Sequence, residues 1–388
     1  MKKIVIAAFG LAVVFVSSCK KDVVSDVQKN LVSGSLVDTL RGEITVNTTL
    51  TKKTYLQGLV YVKPGVTLTV PAGLTIVGSE GPAVPDTVNL ENNKGVLLIE
   101  KGAKLIANGT PTSPIVWTSP KAVGSRAYGD WGGVVFYGTA PIHTKTGATT
   151  NLFEAFDYKP DQRNSYGGSN PSDNSGSITY NRFEFGGGVV YQQDKEVNGV
   201  TFCGVGSGTT FHHNEVLFAG DDGIEFFGGT INIHHTLVFG AHDDDYDFDE
   251  GYSGKLQFII GYKSNNPDNS GSHSIESDND ASATNSAPYT SAFIANATLL
   301  GPATAQNYSG TGSKYFDGAL FIRRNSRLTL VNSLIIAQQH PYAVVATPTT
   351  VNRFANAPGV NPDSITIAYN IFQTNSANAV VSSTIEGN

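Results

Sequence analysis

Phe218-Ala219-Gly220-Asp221-Asp222-Gly223-Ile224-Glu225-Phe226 returns about 22 residues later as Gly240-Ala241-His242-Asp243-Asp244-Asp245-Tyr246-Asp247-Phe248. A matching stretch precedes each copy, Phe211-His212-His213 before the first and Ile233-His234-His235 before the second. A repeat of this length suits one circuit of a parallel β-helix, in which three short strands are separated by corners and successive circuits stack. Ser274-Ile275-Glu276-Ser277-Asp278 reads as a looser third copy and Ala319-Leu320-Phe321-Ile322-Arg323 as a fourth. The rhythm continues through Leu328-Thr329-Leu330-Val331-Asn332 and Ser333-Leu334-Ile335-Ile336.

Upstream, Leu59-Val60-Tyr61-Val62, Val66-Thr67-Leu68-Thr69-Val70, Leu74-Thr75-Ile76-Val77 and Val96-Leu97-Leu98-Ile99 are short β-branched runs. Lys63-Pro64-Gly65, Pro71-Ala72-Gly73 and Lys101-Gly102 form turns beside them. Beyond the N-terminal segment, no stretch keeps a helical apolar period over three turns. A β-sandwich or jelly roll would favour hairpins without a fixed period. The reading is therefore all-β, a right-handed parallel β-helix over 42–388 with long loop insertions.

Composition agrees. The chain has 42 glycines, one methionine and 15% charged residues among 388, which suits many short strands and tight turns rather than helices. The net charge of -7 is dispersed and forms no basic stripe, which disfavours nucleic acid as a partner.

The first residues read differently. Met1-Lys2-Lys3, an apolar run from Ile4 to Val16 and Ser17-Ser18-Cys19 make a basic start, an apolar core and a small-residue break. These are the parts of a cleavable secretory signal, and the run falls short of the ~20 apolar residues a permanent span needs. Ser17-Ser18-Cys19 resembles a bacterial lipobox, which implies a signal over 1–18, acylation of Cys19 and a polar tether to residue 41. Palmitate-type chains on Cys19 imply anchorage to the outer membrane, on its periplasmic or its cell-surface face. Cys203 is then left with no disulfide partner, and no CxxC spacing supports a zinc site.

Further resemblance comes from Gly65-Val66-Thr67-Leu68-Thr69-Val70-Pro71-Ala72-Gly73-Leu74-Thr75-Ile76, Gly102-Ala103-Lys104-Leu105-Ile106-Ala107-Asn108-Gly109-Thr110 and Pro114-Ile115-Val116-Trp117-Thr118-Ser119. With Trp131-Gly132-Gly133-Val134 and the acidic segment after Gly240, these resemble right-handed β-helix lipoproteins of Bacteroidota-type bacteria. The resemblance implies fold and export; members of that group are mostly uncharacterised surface proteins, so it implies little about activity.

Strand neighbours point to opposite faces. If Ile224, Phe226, Tyr246 and Phe248 fill the interior, then Glu225, Asp247 and Asp249 point outward, and Ile275 inside places Glu276 outside. Glu225, Asp247 and Glu276 should then form a column with rungs about 4.8 Å apart. Two carboxylates about 5 Å apart at an effective dielectric near 20 repel by roughly 3 kcal/mol, so the column calls for positive charge. Asp221, Asp222, Glu225, Asp243, Asp244, Asp247 and Glu276 are the candidate ligands of calcium, which takes six to eight oxygens. Two alternatives stay open. Aspartates at corners cap nearby backbone amides, here with charge balance from Arg323 or Arg324, or the acids are catalytic. The pairs His212-His213 and His234-His235 read as a structural ladder in preference to metal ligands, and His242 is the histidine to test for function.

Three polar insertions, 141–177, 263–290 and 302–316, exceed usual connection lengths. Phe156, Tyr158 and Tyr166 in the first are candidate stacking rings for a saccharide; the alternative is that such rings pin the loop to the wall. Gly220-Asp221-Asp222-Gly223, Gly271-Ser272-His273-Ser274-Ile275 and Phe321-Ile322-Arg323-Arg324 resemble the polygalacturonase order of paired aspartates, histidine and basic pair. The sequence departs from it in Gly-Ser-His and in the extra turn Asp243–Asp245. The catalytic candidates on that reading are Asp222, Asp244, His242, His273 and Arg323, acting in inverting hydrolysis. A lyase would instead use calcium with Arg323, Arg324 or Lys255 as base. The preferred expectation is a cell-envelope lipoprotein that binds polysaccharide or matrix, or serves a structural role, with calcium support. A polysaccharide-degrading lyase or inverting glycoside hydrolase is the alternative.

Overall fold

A computed structural model describes residues 38–86, 92–156, 162–192, 195–265, 267, 271–304, 316–338, 342–351, 353, 364–375 and 381–383. The signal segment, Cys19, the tether as far as residue 37 and Tyr158 lie outside the described residues. The chain winds as a parallel β-helix. Among the described residues twenty-eight strands join one continuous sheet, and every strand pairing within it is parallel.

The strands fall into three walls. The first wall stacks Val96–Ile99, Val134–Tyr137, Val200–Cys203, Ile224–Phe227, Tyr246–Asp249, Ser272–Ser277, Phe316–Ile322 and Val344–Ala346. The second stacks Thr67–Pro71, Lys104–Asn108, Gly176–Thr179, Thr210–His212 and the first halves of Asn232–Phe239 and Lys255–Tyr262. The third stacks Thr75–Gly78, Ile115–Thr118, Asn181–Glu184, Glu215–Leu217 and the second halves of those two long strands.

Because the register is parallel, residues at equal positions stack. Phe136, Phe202, Phe226 and Phe248 form one inward column, with neighbouring ring centroids 5.2–5.4 Å apart. All four are fully buried, as are Ile224, Tyr246 and Ile275 in the adjacent column. The circuit that the repeat reveals closes as expected: the amide of Asp244 bonds Asp222, 22 residues earlier.

A left-handed backbone marks the corner after the second wall. Tyr180, His213, His235, Phe258, Asn296, Asn332 and Tyr369 occupy it in successive circuits, with φ of 55°, 54°, 52°, 54°, 56°, 52° and 59°. Gly223 serves a different corner for a steric reason: a Cβ there would lie 2.3 Å from Val238 Cγ1 and 2.8 Å from the Asp245 carbonyl oxygen. This is why the repeat reads Asp-Asp-Gly before the strand begins.

The insertions differ in part from expectation. Segment 263–290 is not simply a loop, since Ser272–Ser277 within it is a full rung of the first wall. Segment 141–177 does leave the coil and forms the antiparallel pair Asn151–Leu152 and Ser165–Tyr166. A second excursion, the antiparallel hairpin of Gly188–Gln192 and Lys195–Val197, was not foreseen. Most of 302–316 lies outside the described residues.

Candidate functional site

In the first wall Glu225 stands opposite Asp247, and Asp247 opposite Glu276. The same outward column holds Tyr61, Leu98, Val135 and Thr201 on one side of the acids and Phe321 and Val345 on the other. Three acidic rungs thus interrupt an otherwise largely apolar line.

Outward here does not mean exposed. Phe153, Phe156, Tyr166, Val190 and Val197 from the two excursions pack on Tyr61, Leu98, Val135, Cys203 and Phe227, making a second apolar core outside the coil. The roof extends onto the acids. Asn198 Nδ2 donates to Glu225 Oε2. Tyr166 Oη and Asn151 Nδ2 donate to Glu250 at 2.6 and 2.8 Å. Glu225 and Glu276 are buried.

Tyr166 and Phe156 are only 1% and 2% exposed, so neither presents a ring face to a saccharide. That expectation is corrected: the rings fasten the insertion to the wall, because an excursion with few strand pairings of its own is held by the apolar area it buries.

Asp222 and Asp244 take the corner. Asn198 Oδ1 accepts the Asp222 amide at 3.2 Å, Asp222 Oδ1 the Asp244 amide at 2.8 Å, and Asp244 Oδ1 the His273 amide. Each side chain caps the next circuit's backbone, as corner aspartates do. His273 also places Nδ1 3.1 Å from Asp244 Oδ1 and 3.6 Å from Glu276 Oε2, with its ring stacked on Phe321 at 4.8 Å.

Capping leaves carboxylate oxygens over. Donor atoms of Asp222, Glu225 and Asp247 lie within 4.8 Å of one another, as do those of Asp221, Asp222 and Asp243 and those of Asp244, His273 and Glu276. The three groups adjoin, the first two sharing Asp222. Asp247 Oδ1 is buried with no hydrogen-bond partner.

The basic residues reach only one end. Arg323 bonds Glu276 at 2.6 Å and Asp278 at 3.0 Å, and Arg324 bonds Asp278 at 2.5 Å. Among the described residues no lysine or arginine pairs with Asp222, Glu225 or Asp247. His242 sits apart, stacked on Tyr128 at 5.0 Å, while its amide donates to the Ala219 and Asp221 carbonyls. Lys255 belongs to the second wall and is exposed, so the fold does not bring it to the acids.

The electrostatics follow. Burial first, and neighbouring acids second, push the carboxyls of Asp222, Glu225 and Asp247 well above the usual range. Burial lifts Glu276 to about 7 against the opposing pull of Arg323. Arg323 loses some basicity to burial, but Glu276, Asp278, Asp247 and Asp249 more than restore it and hold the guanidinium protonated. It is poorly suited to act as a Brønsted base.

Sequence reasoning missed Asp245. Its carboxylate is fully buried 3.5 Å from Lys263 Nζ, itself fully buried, and burial raises the acid to about 7 despite that lysine. The only sequence signal was a lysine one circuit beyond an acidic run.

A carboxyl whose pKa is higher folded than unfolded binds protons in the native state first. Its contribution to stability is therefore greatest below the unfolded value of about 4 and is lost as pH rises through the folded value. In the presence of a chelator, the melting temperature is expected to fall by about 2–5 °C between pH 5 and pH 8. Thermal unfolding across that range checks this, and Asp247→Asn should flatten the slope.

A family profile described as "Pectate-lyase like beta helix domain" matches residues 42–385. No curated protein and no solved structure matches the chain significantly. The match spans nearly the whole coil, including all three acidic rungs, and the chain belongs to the pectate-lyase-like beta-helix domain family.

Proposed function

We propose that the protein is a cell-envelope lipoprotein that binds polysaccharide or matrix glycan, with a calcium ion buttressing its acidic wall. The observation that carries the reading is Asp247 Oδ1, buried and unpartnered in a cluster with Asp222 and Glu225. Buried polar atoms are almost always satisfied, and an exception asks for an ion or a proton. The donor set is entirely oxygen, which suits a hard cation such as calcium. Asp222, Glu225 and Asp247 would hold the ion, with Asp221 and Asp243 beside it and Glu276 at the far end, already balanced by Arg323.

The same geometry weighs against chemistry at these acids. Inverting hydrolysis needs carboxyls about 6.5–9.5 Å apart to admit a water, whereas the nearest oxygens of Asp222, Glu225 and Asp247 converge within 4.8 Å. The lyase reading lacks a free base, since Arg323 is held protonated, Arg324 is paired with Asp278 at 2.5 Å and Lys255 stands on another wall. A roofed cluster also leaves a polymer little approach.

The glycan surface we favour is a groove of about 510 Å³ at the corner beyond the third wall, lined by Arg126, Tyr128, Arg182, Glu184, Phe185 and Phe218. Phe185 and Phe218 stack at 5.3 Å and Arg126 lies over Phe185 at 5.9 Å. Partly open aromatic faces beside charged hydrogen-bonding groups are the usual means of gripping a sugar ring. Anchorage through acylated Cys19 would hold this groove at the outer membrane. Several buried acyl chains, each methylene contributing about 0.8 kcal/mol, suffice for stable attachment.

Three outcomes are expected. Calcium at about 100 times its Kd should stabilise the fold by about 2.7 kcal/mol, read as a rise in melting temperature that Asp247→Asn abolishes; an unchanged transition would remove the ion from the reading. A screen of anionic and neutral polysaccharides should show retention that Phe218→Ala weakens, without new reducing ends or unsaturated products. The appearance of such products would favour the enzyme instead. Cys19→Ala should move the protein from the membrane to the soluble fraction.

A further inference from the structure

Four histidines on the opposite side of the repeat form a compact array. His212 pairs with His234 across circuits of the second wall, and His213 and His235 follow them at the left-handed corner. Within each circuit the Nδ1 atoms meet, at 2.9 Å for His212 and His213 and 2.8 Å for His234 and His235. Between circuits the rings stack, with centroids 4.7 Å apart for His212 and His234 and 4.6 Å for His213 and His235.

A structural stack alone explains only part of this. At the corner, Tyr180 stacks on His213 at 4.7 Å and Phe258 packs on His235 at 4.9 Å, so ordinary rings fill the column on either side. On the strand, Thr179 and Gln257 flank His212 and His234. Stacking needs one aromatic ring per circuit. Two circuits instead carry two imidazoles each, with their nitrogens turned toward one another.

We propose that His234 and His235, joined by His213, bind one divalent d-block cation of tetragonal preference, copper(II) foremost. Donor nitrogens of these three residues lie within 4.8 Å of one another. The bite distance discriminates between metals. With imidazole–metal bonds of about 2.0–2.1 Å, two ligands at 90° stand about 2.9 Å apart, and at the tetrahedral angle about 3.4 Å apart. The Nδ1 atoms of His234 and His235, which share a hydrogen bond at 2.8 Å, already stand at the right-angled spacing, and tautomerisation that moves the shared proton to Nε2 frees both lone pairs for the ion. Square-planar nitrogen sites select copper(II) or nickel(II), and copper(II) heads the affinity order for such donors.

Two further features suit ligation. Burial, then the neighbouring imidazoles, lowers the pKa of His212, His213 and His234, which keeps the rings neutral with a lone pair to give. A groove of about 600 Å³ lined by Tyr180, His213, His235, Phe258, Ile260 and Asn296 borders the array and leaves room for water or a small anion to complete the coordination.

The test titrates the purified full chain with copper(II), nickel(II), zinc(II) and calcium, using calorimetry and electron paramagnetic resonance. One equivalent of copper(II) should bind, with an axial spectrum showing coupling to imidazole nitrogen. Zinc(II) should bind at least ten-fold more weakly, and calcium should not compete. The double variant His213→Asn/His235→Asn, chosen because asparagine tolerates the left-handed corner, should lose at least 100-fold in copper affinity while keeping the metal-free melting temperature. Should that variant fail to fold, His234→Gln on the strand provides the same comparison. Copper(II) binding unchanged in the variants, a spectrum of oxygen ligands only, tighter zinc(II) binding, or no binding at micromolar metal would each overturn the proposal.

Discussion

Parallel register between successive circuits is the constraint on which the rest of this structure depends. Once Ile224 pairs with Tyr246 and Tyr246 with Ile275, every side chain in those strands has its neighbour chosen. Inside the coil the consequence is favourable, because like stacks on like and the phenylalanine column forms a continuous line of ring contacts. Outside the coil the same rule is indifferent to chemistry. It stacks carboxylate on carboxylate as readily as ring on ring, and the fold must then deal with the charge it has gathered.

The acidic wall shows how that is managed at one end and left open at the other. Near Glu276, Arg323 and Arg324 supply countercharge from the next circuit. Near Glu225, the excursions that pack over the wall bring apolar rings and one amide, Asn198, but no cation among the described residues. Desolvation there makes each anion costlier than a solvated one. Roofing a column of acids is unfavourable unless the charge is relieved, by protonation or, on the reading proposed above, by a divalent cation.

Much of the coil was legible because its signals are local. The repeat at Asp221 and Asp243, the alternation of Ile224, Glu225 and Phe226, and the glycine corners each express a rule that acts within a few residues or one circuit. What stayed hidden acts at longer range. Phe156 and Tyr166 read either as saccharide-stacking rings or as pins for the loop, since nothing near them announces that 141–177 folds back on Leu98 and Val135. The hairpin of Gly188–Gln192 and Lys195–Val197 places Val190 and Val197 in that same roof, and no local signal separates its strands from those of the coil. Asp222 and Asp244 illustrate a further limit. Sequence offered capping or metal ligation as alternatives, but a carboxylate has two oxygens, and the one that caps leaves its twin available.

The two clusters proposed as ion sites follow from this same geometry with different donors. A corner that recurs every circuit sets its side chains about 4.8 Å apart along the coil, and two adjacent residues on one circuit stand closer still. Three or four donors can therefore converge once two consecutive circuits carry the right residues, as Asp222, Glu225 and Asp247 do on one wall and His213, His234 and His235 at another corner. Oxygen donors spread over flexible carboxylates tolerate a large ion and a variable coordination number. Imidazoles fixed by stacking hold a short bite and so favour an ion with right-angled bonds. In this coil the choice of metal thus comes down to which donor type occupies adjacent rungs and how tightly stacking fixes it.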